Sequence, residues 1–248
     1  MINKKHILEK LEEFDFSIEN IALGDFDYIG EYTAKKNRQP NSDLYKSAGC
    51  FFRPNYERGI LLYSMVTTFE VQSYLEIGFG RGYSAFCVAK AMCDKGIDGK
   101  ITTIDPNLDE KFLQNLSQVF PKEWFDKIHF MKGSSQEALL SFEESENFDL
   151  VFIDGDHRYE AVKFDWENTK DRFNKFLVFD DYHLPTKRQK DMEVSQLVDE
   201  IDNDSKEMII ADRRIFFDDR GYTDDQIDYG QVILKNENFD TSDYILNW

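Results

Sequence analysis

Proline is scarce, five residues in 248, and none sits at a shift in composition, so nothing marks a linker between domains. Cysteine is scarcer. Cys50, Cys87 and Cys93 form no C-x-x-C pair and leave an odd count, which excludes a disulfide framework and reads as ordinary thiols in a reducing compartment. No window approaches the roughly 18 consecutive apolar residues of a membrane span. The opening Met1-Ile2-Asn3-Lys4-Lys5-His6 has no apolar signal segment behind its charges, so the expected location is the cytoplasm. Positive charge is the clearest deficit: 30 Lys and Arg stand against 48 Asp and Glu, a formal net charge of −18. Such a field repels phosphate backbones and anionic lipid surfaces, which argues against nucleic-acid and membrane partners.

Aromatics are plentiful, with 22 Phe and 12 Tyr, as an aromatic-rich core requires. From Val71 onward short apolar runs alternate with longer amphipathic stretches. The runs are Val71 to Ile77, Lys100 to Ile104, Ile128 to Met131, Phe148 to Ile153 and Phe176 to Phe179. Helical stretches begin near Tyr83, Asp109, Ser135 and Arg158. Several runs, Leu150-Val151-Phe152-Ile153 above all, are continuously apolar, the pattern of strands covered on both faces. Alternating strands and helices predict an α/β fold with a doubly wound, mostly parallel sheet. A helix is expected over Val194 to Ile201. Glu207 to Ala211 and Tyr229 to Leu234 should add an antiparallel pair at the sheet edge. Tyr56 to Phe69 reads as a helix, and the residues before it as helical and irregular. The expected organisation is an N-terminal extension and candidate lid, residues 1–55, on a ligand-binding domain, residues 56–248.

Chemistry concentrates at the strand ends. Leu75-Glu76-Ile77-Gly78-Phe79-Gly80-Arg81-Gly82-Tyr83-Ser84 falls where a strand hands over to a helix. Gly78, Gly80 and Gly82 allow a sharp turn and let a ligand approach the backbone. A dinucleotide-binding turn would place its third glycine where Tyr83 stands. Glu76, at the strand's carboxyl end, suits a ligand that carries positive charge and no pyrophosphate, as S-adenosylmethionine does. The next strand ends in Asp105-Pro106, where an acid can take both ribose hydroxyls or simply form a turn. The following turn offers Ser135 and Gln136 to an adenine edge. Three such features at successive strand ends would line the crevice at the sheet's switch point.

On these residues the chain resembles the class I S-adenosylmethionine-dependent methyltransferases over residues 56–183. The resemblance implies that Glu76, Gly78, Gly80, Gly82 and Ser84 surround the methionine part of the cofactor, that Asp105 holds the ribose, and that Ser135 and Gln136 meet the adenine.

Two further strand ends carry acids, Ile153-Asp154-Gly155-Asp156-His157 and Phe179-Asp180-Asp181-Tyr182-His183. Neighbouring strands lie about 5 Å apart, which would bring Asp154, Asp180 and Asp181 together. Three such carboxylates repel, and an all-oxygen anionic set favours a hard divalent ion, Mg²⁺ first, with Mn²⁺ or Ca²⁺ as substitutes. Asp180 and Asp181 can share it only if their strand has begun to turn. Alternatively, the pair caps the next segment and Asp154 holds a cofactor amine through water.

The arrangement resembles the metal-dependent O-methyltransferases. In that group the residue three beyond the first ligand is the base, a Lys in catechol-type members and a His in those that methylate sugars. Here it is His157. The resemblance implies Mg²⁺-assisted methylation of a hydroxyl on a small molecule, a sugar or diol-like acceptor. The paired glycines often found before the fifth strand are absent, Asn174-Lys175 standing there. His183 is a second candidate base, whereas His6 and His129 fall in no motif. The competing readings are a metal-independent methyltransferase, a nicotinamide-dependent oxidoreductase and a non-catalytic cofactor-binding protein. Substrate contacts are expected from the N-terminal extension and from residues 184–193, where Lys187, Arg188 and Lys190 form a small basic run. No pattern dictates an oligomeric state.

Overall fold

Strand and helix alternate as the apolar pattern requires. The computed structural model describes residues 2–17, 29, 55–183, 193–210 and 229–244. Near the N-terminus come β1 (Asn3–His6), α1 (Ile7–Glu13) and α2 (Asn55–Phe69). The central part runs β2 (Ser73–Ile77), α3 (Tyr83–Lys95), β3 (Lys100–Asp105), α4 (Glu110–Ser117), α5 (Lys122–Phe125), β4 (Ile128–Lys132), α6 (Ser135–Leu139) and β5 (Phe148–Ile153). It continues through α7 (Tyr159–Thr169), β6 (Phe173–His183), α8 (Val194–Glu200), β7 (Glu207–Ile210) and β8 (Tyr229–Lys235).

The strands form one eight-stranded sheet in the order β1-β7-β8-β6-β5-β2-β3-β4. All neighbours are parallel except β8, which is antiparallel to both β6 and β7. Winding reverses between β2 and β5, the place where an open α/β sheet offers a ligand crevice beyond its strands' carboxyl ends. The continuous apolar runs are explained by alternation between two buried faces. Tyr74, Leu150, Phe152, Phe176 and Val178 join one core with α2 and α3. Leu75, Ile77, Val151, Ile153, Leu177 and Phe179 join another with α7 and α8.

Two local features depart from the sequence reading. Residues 3–6 were expected to be helical or irregular; instead Asn3–His6 pairs in parallel with β7. Nothing in Asn-Lys-Lys-His favours a strand, so pairing imposes it. Glu207 on β7 helps to hold this edge by binding Lys5 at 2.9 Å and the fully buried Lys10 of α1. Second, β6 runs well past the expected Phe176 to Phe179, from Phe173 to His183. Between Phe179 and Tyr182 its register against β8 slips, and Asp181 adopts a left-handed φ of 55°. This bulge supplies the turn in the strand that sets Asp181 beside His157. The proposed lid, over residues 18–28 and 30–54, and residues 184–192, with the basic run, lie outside the described residues. No described helix is long and apolar enough to cross a membrane.

Candidate active site

The glycine turn after β2 is fixed against its neighbours on both sides. Gly78 N–H donates to the Ile104 carbonyl at 2.9 Å, and Asp154 N–H to the Ile77 carbonyl at 2.8 Å. Gly78 has a φ of 97°, and a Cβ there would lie 2.0 Å from the Asp154 carbonyl oxygen, so no other residue fits. Gly80 differs: its absent Cβ would meet nothing within 4 Å. It faces a crevice of about 510 Å³ bounded by Ile104, Asp105, Ser135, Gln136, Asp154 and Asp156, among others.

Asp105 acts both as a turn former and as a wall residue. Its Oδ1 accepts from Asn107 N–H at 2.7 Å and its Oδ2 from Gly80 N–H at 2.8 Å, which locks the carboxylate at the rim. Each oxygen retains a lone pair for a ligand hydroxyl. Ser134 caps α6 through a reciprocal pairing with Glu137, so that Ser135 and Gln136 start the helix at the crevice wall. Beneath Ser135 lies Asp165, whose pKa burial raises to about 7 despite the Ser135 hydrogen bond.

Other expected cofactor residues do not line the crevice. Gly82 and Ser84 lie inside the turn and the first turn of α3, Ser84 being buried. Glu76 is buried as well, and its carboxylate accepts from the Thr103 hydroxyl at 2.8 Å. Burial outweighs that bond and pushes its pKa up to about 8.

The acids of β5 and β6 divide into two groups. Asp154, His157 and Asp181 bring one ligand atom each to within 4.8 Å of one another. His157 Nε2 stands 3.1 Å from Asp181 Oδ2 and 3.7 Å from Asp154 Oδ1. Burial alone would lower the His157 pKa. The Asp154 hydrogen bond and the surrounding carboxylates prevail and push it up to about 9. Burial, then the neighbouring Asp180, push Asp154 upward to about 7, against Arg58.

Asp180 is held elsewhere. It is buried, its Oδ1 accepts from Gln231 Nε2 at 2.7 Å, and its Oδ2 pairs with the Arg58 guanidinium. Asp154 is shared between the groups: with Asp181 it faces His157, and with Asp180 it flanks Arg58, so Asp180 stands on the far side of a guanidinium from His157. The sequence reading passed over Arg58, Gln231 and Glu193. Glu193 pins the loop after β5, donating its N–H to the His157 carbonyl at 2.8 Å and accepting from Tyr159 N–H at 2.7 Å. A lone cation one turn before buried Leu61 and Leu62 was the available signal for Arg58.

Residues 75–182 match the family described as a methyltransferase domain. With the sheet order and the switch-point turn, the match likens this core to a methyltransferase domain. One curated relative and several of the solved structures it resembles are named O-methyltransferases. One from Mycobacterium sp. (strain JLS), so assigned, is 30% identical over 98 residues, 40% of this chain and 43% of its own. The chain thus spans less than half the length of that curated relative. Cofactor-bound Rv0187 from MTB has a TM-score of 0.56 at 16% identity, over 92% of this chain and 95% of its own. TomG from Streptomyces achromogenes, an O-methyltransferase of tomaymycin synthesis solved with SAM, gives 0.51 at 16%, over 87% and 99%. At such identities the likeness to the solved structures is one of fold.

Proposed function

We propose that the chain transfers a methyl group from S-adenosylmethionine to a hydroxyl of a small molecule, with a sugar or vicinal diol favoured. The proposal includes Mg²⁺, or Mn²⁺ or Ca²⁺ in its place, at Asp154 and Asp181. One observation carries this reading. Asp154 lines the crevice and also lies 3.7 Å from His157, so the cofactor-sized space and the acid-base group meet at a single residue.

The wall chemistry fits this cofactor. Asp105, Asp154 and Asp156 line the crevice with Arg158, which pairs with Asp156, and the acidic balance that remains favours a sulfonium and an amine over a pyrophosphate. The donor set Asp154, His157 and Asp181 fits a hard divalent ion through its two carboxylates. When bound, the cofactor supplies a methyl group activated for in-line displacement; a divalent ion supplies positive charge that acidifies and orients a hydroxyl.

The chain's own part is alignment and proton transfer. Asp105 fixes the ribose end, and Gly80 lets the ligand reach the backbone. Asp154 and Asp181 orient His157. As the acceptor oxygen takes the methyl group and the carbon–sulfur bond breaks, the hydroxyl proton passes to His157. With its pKa near 9 the imidazole is mostly protonated at neutral pH, so it serves as base only where added positive charge offsets these carboxylates, or at higher pH. Residues 56–248 are read as the catalytic part, and the −18 charge supports small-molecule rather than nucleic-acid acceptors.

The test is methyl transfer from labelled S-adenosylmethionine to a panel of sugars and diols, with His157→Ala alongside. Transfer by wild type that the variant loses supports the reading; cofactor binding without transfer to any hydroxylated acceptor contradicts it.

A further inference from the structure

Arg58 occupies the middle of the acid cluster. It reaches from the first turn of α2 across to the carboxyl ends of β5 and β6, where Nη1 donates to Asp154 Oδ2 at 2.9 Å and to Asp180 Oδ2. The guanidinium lies 5.8 Å from the ring centroids of both Tyr83 and Phe152, placed between α3 and β5. Its side chain is 10% exposed and that of Asp180 only 2%, so this pair is desolvated and weakly screened. Both Asp180 oxygens are engaged by the protein, one by Gln231 and one by Arg58. Asp154 is divided, with Oδ2 toward Arg58 and Oδ1 toward His157.

A guanidinium and a divalent ion make the same demand on these carboxylates: each needs their charge and their lone pairs. We propose that Arg58 is the resident cation of this cluster and competes with a divalent ion for Asp154 and Asp180, so that it sets the metal affinity of the site. While Arg58 holds Asp180, an ion has the carboxylates of Asp154 and Asp181 to draw on. With Arg58 removed, Asp180 is released and the three-carboxylate set is completed. This inference rests on reading the cluster as the reactive edge of a methyltransferase, and its test separates the two.

Mn²⁺ binding to chelator-treated protein is measured by calorimetry and electron paramagnetic resonance for wild type, Arg58→Gln, Asp180→Asn and the double variant, with S-adenosylmethionine titrated separately. The Gln variant removes the charge and ends two bonds short of Nη1 while keeping an amide donor, and Arg58→Lys is the reserve should it not fold. Arg58→Gln is expected to bind Mn²⁺ at least tenfold tighter than wild type, and Arg58→Lys more tightly by a smaller factor. Asp180→Asn should leave Mn²⁺ affinity unchanged in wild type and lower it in the Arg58→Gln background, a coupling that a diffuse charge effect does not produce. Equal Mn²⁺ affinity with and without Arg58 overturns the inference. So does an Asp180→Asn loss of the same size in both backgrounds, since Asp180 would then already be a ligand. Failure to bind S-adenosylmethionine would count against the proposed function and leave the Mn²⁺ comparison standing.

Discussion

The two halves of the crevice are built by different means. On the β2–β3 side, polar groups are satisfied within the turns and between adjoining ones: Asp105 takes the N–H groups of Asn107, two positions on, and of Gly80, 25 positions earlier, and Ser134 and Glu137 cap their own helix. On the β5–β6 side, charge is balanced by side chains from far away. Arg58 meets Asp154 across 96 positions and Asp180 across 122, and Gln231 meets Asp180 across 51. The first side is built from turns hydrogen-bonded to one another at adjoining strand ends. The second depends on the whole sheet being closed, and its balance of charge can be changed by one substitution or one ion.

The sharpest way to break this contrast is to remove His157. His157→Ala should cut turnover by about 10²–10⁴-fold, the usual scale of a lost acid-base group, with cofactor affinity unchanged by calorimetry. A matching fall in affinity would merge the two sides. In the presence of chelator, wild-type turnover should rise with pH until about 9, where His157 loses its proton.

Next in size is Arg58. Losing one partner of a buried pair leaves Asp180 uncompensated, so Arg58→Gln should lower stability by about 3–5 kcal/mol in urea unfolding. Added Mn²⁺ should restore part of it.

Asp105→Ala tests the other side. Removing charge-assisted hydrogen bonds worth about 1.5–3 kcal/mol should weaken S-adenosylmethionine binding roughly 10- to 150-fold, with little effect on Mn²⁺ affinity.

Glu76 should show its effect in stability against pH and not in ligand binding. The folded protein holds its proton up to about pH 8, whereas the ordinary value is 4.5. Its contribution to stability is therefore full below pH 4.5 and declines as pH rises to about 8. Glu76→Gln should flatten that part of the stability profile, and a slope unchanged from wild type would place the proton elsewhere.

The same contrast governs what was legible in the sequence. Strands and glycine turns could be read because periodicity and positive-φ positions are local properties; the β2 turn, Asp105 and Asp154 fall at the strand ends assigned to them, whereas Asp180 and Asp181 lie within the longer β6. The edge strand Asn3–His6 could not be read, since it carries no apolar alternation and is held by its partner β7. Nor could the separation of Asp180 from Asp181. A bulge turns one toward His157 while the other faces an arginine more than a hundred residues earlier. Adjacent acids look equivalent in a sequence until the backbone between them is known.

The central claim is that the crevice at the β2–β5 switch point takes S-adenosylmethionine. Calorimetric titration of that cofactor into chelator-treated wild-type protein tests it most directly. Micromolar binding that Asp105→Ala weakens is the predicted result, and no binding by wild-type protein would contradict the account.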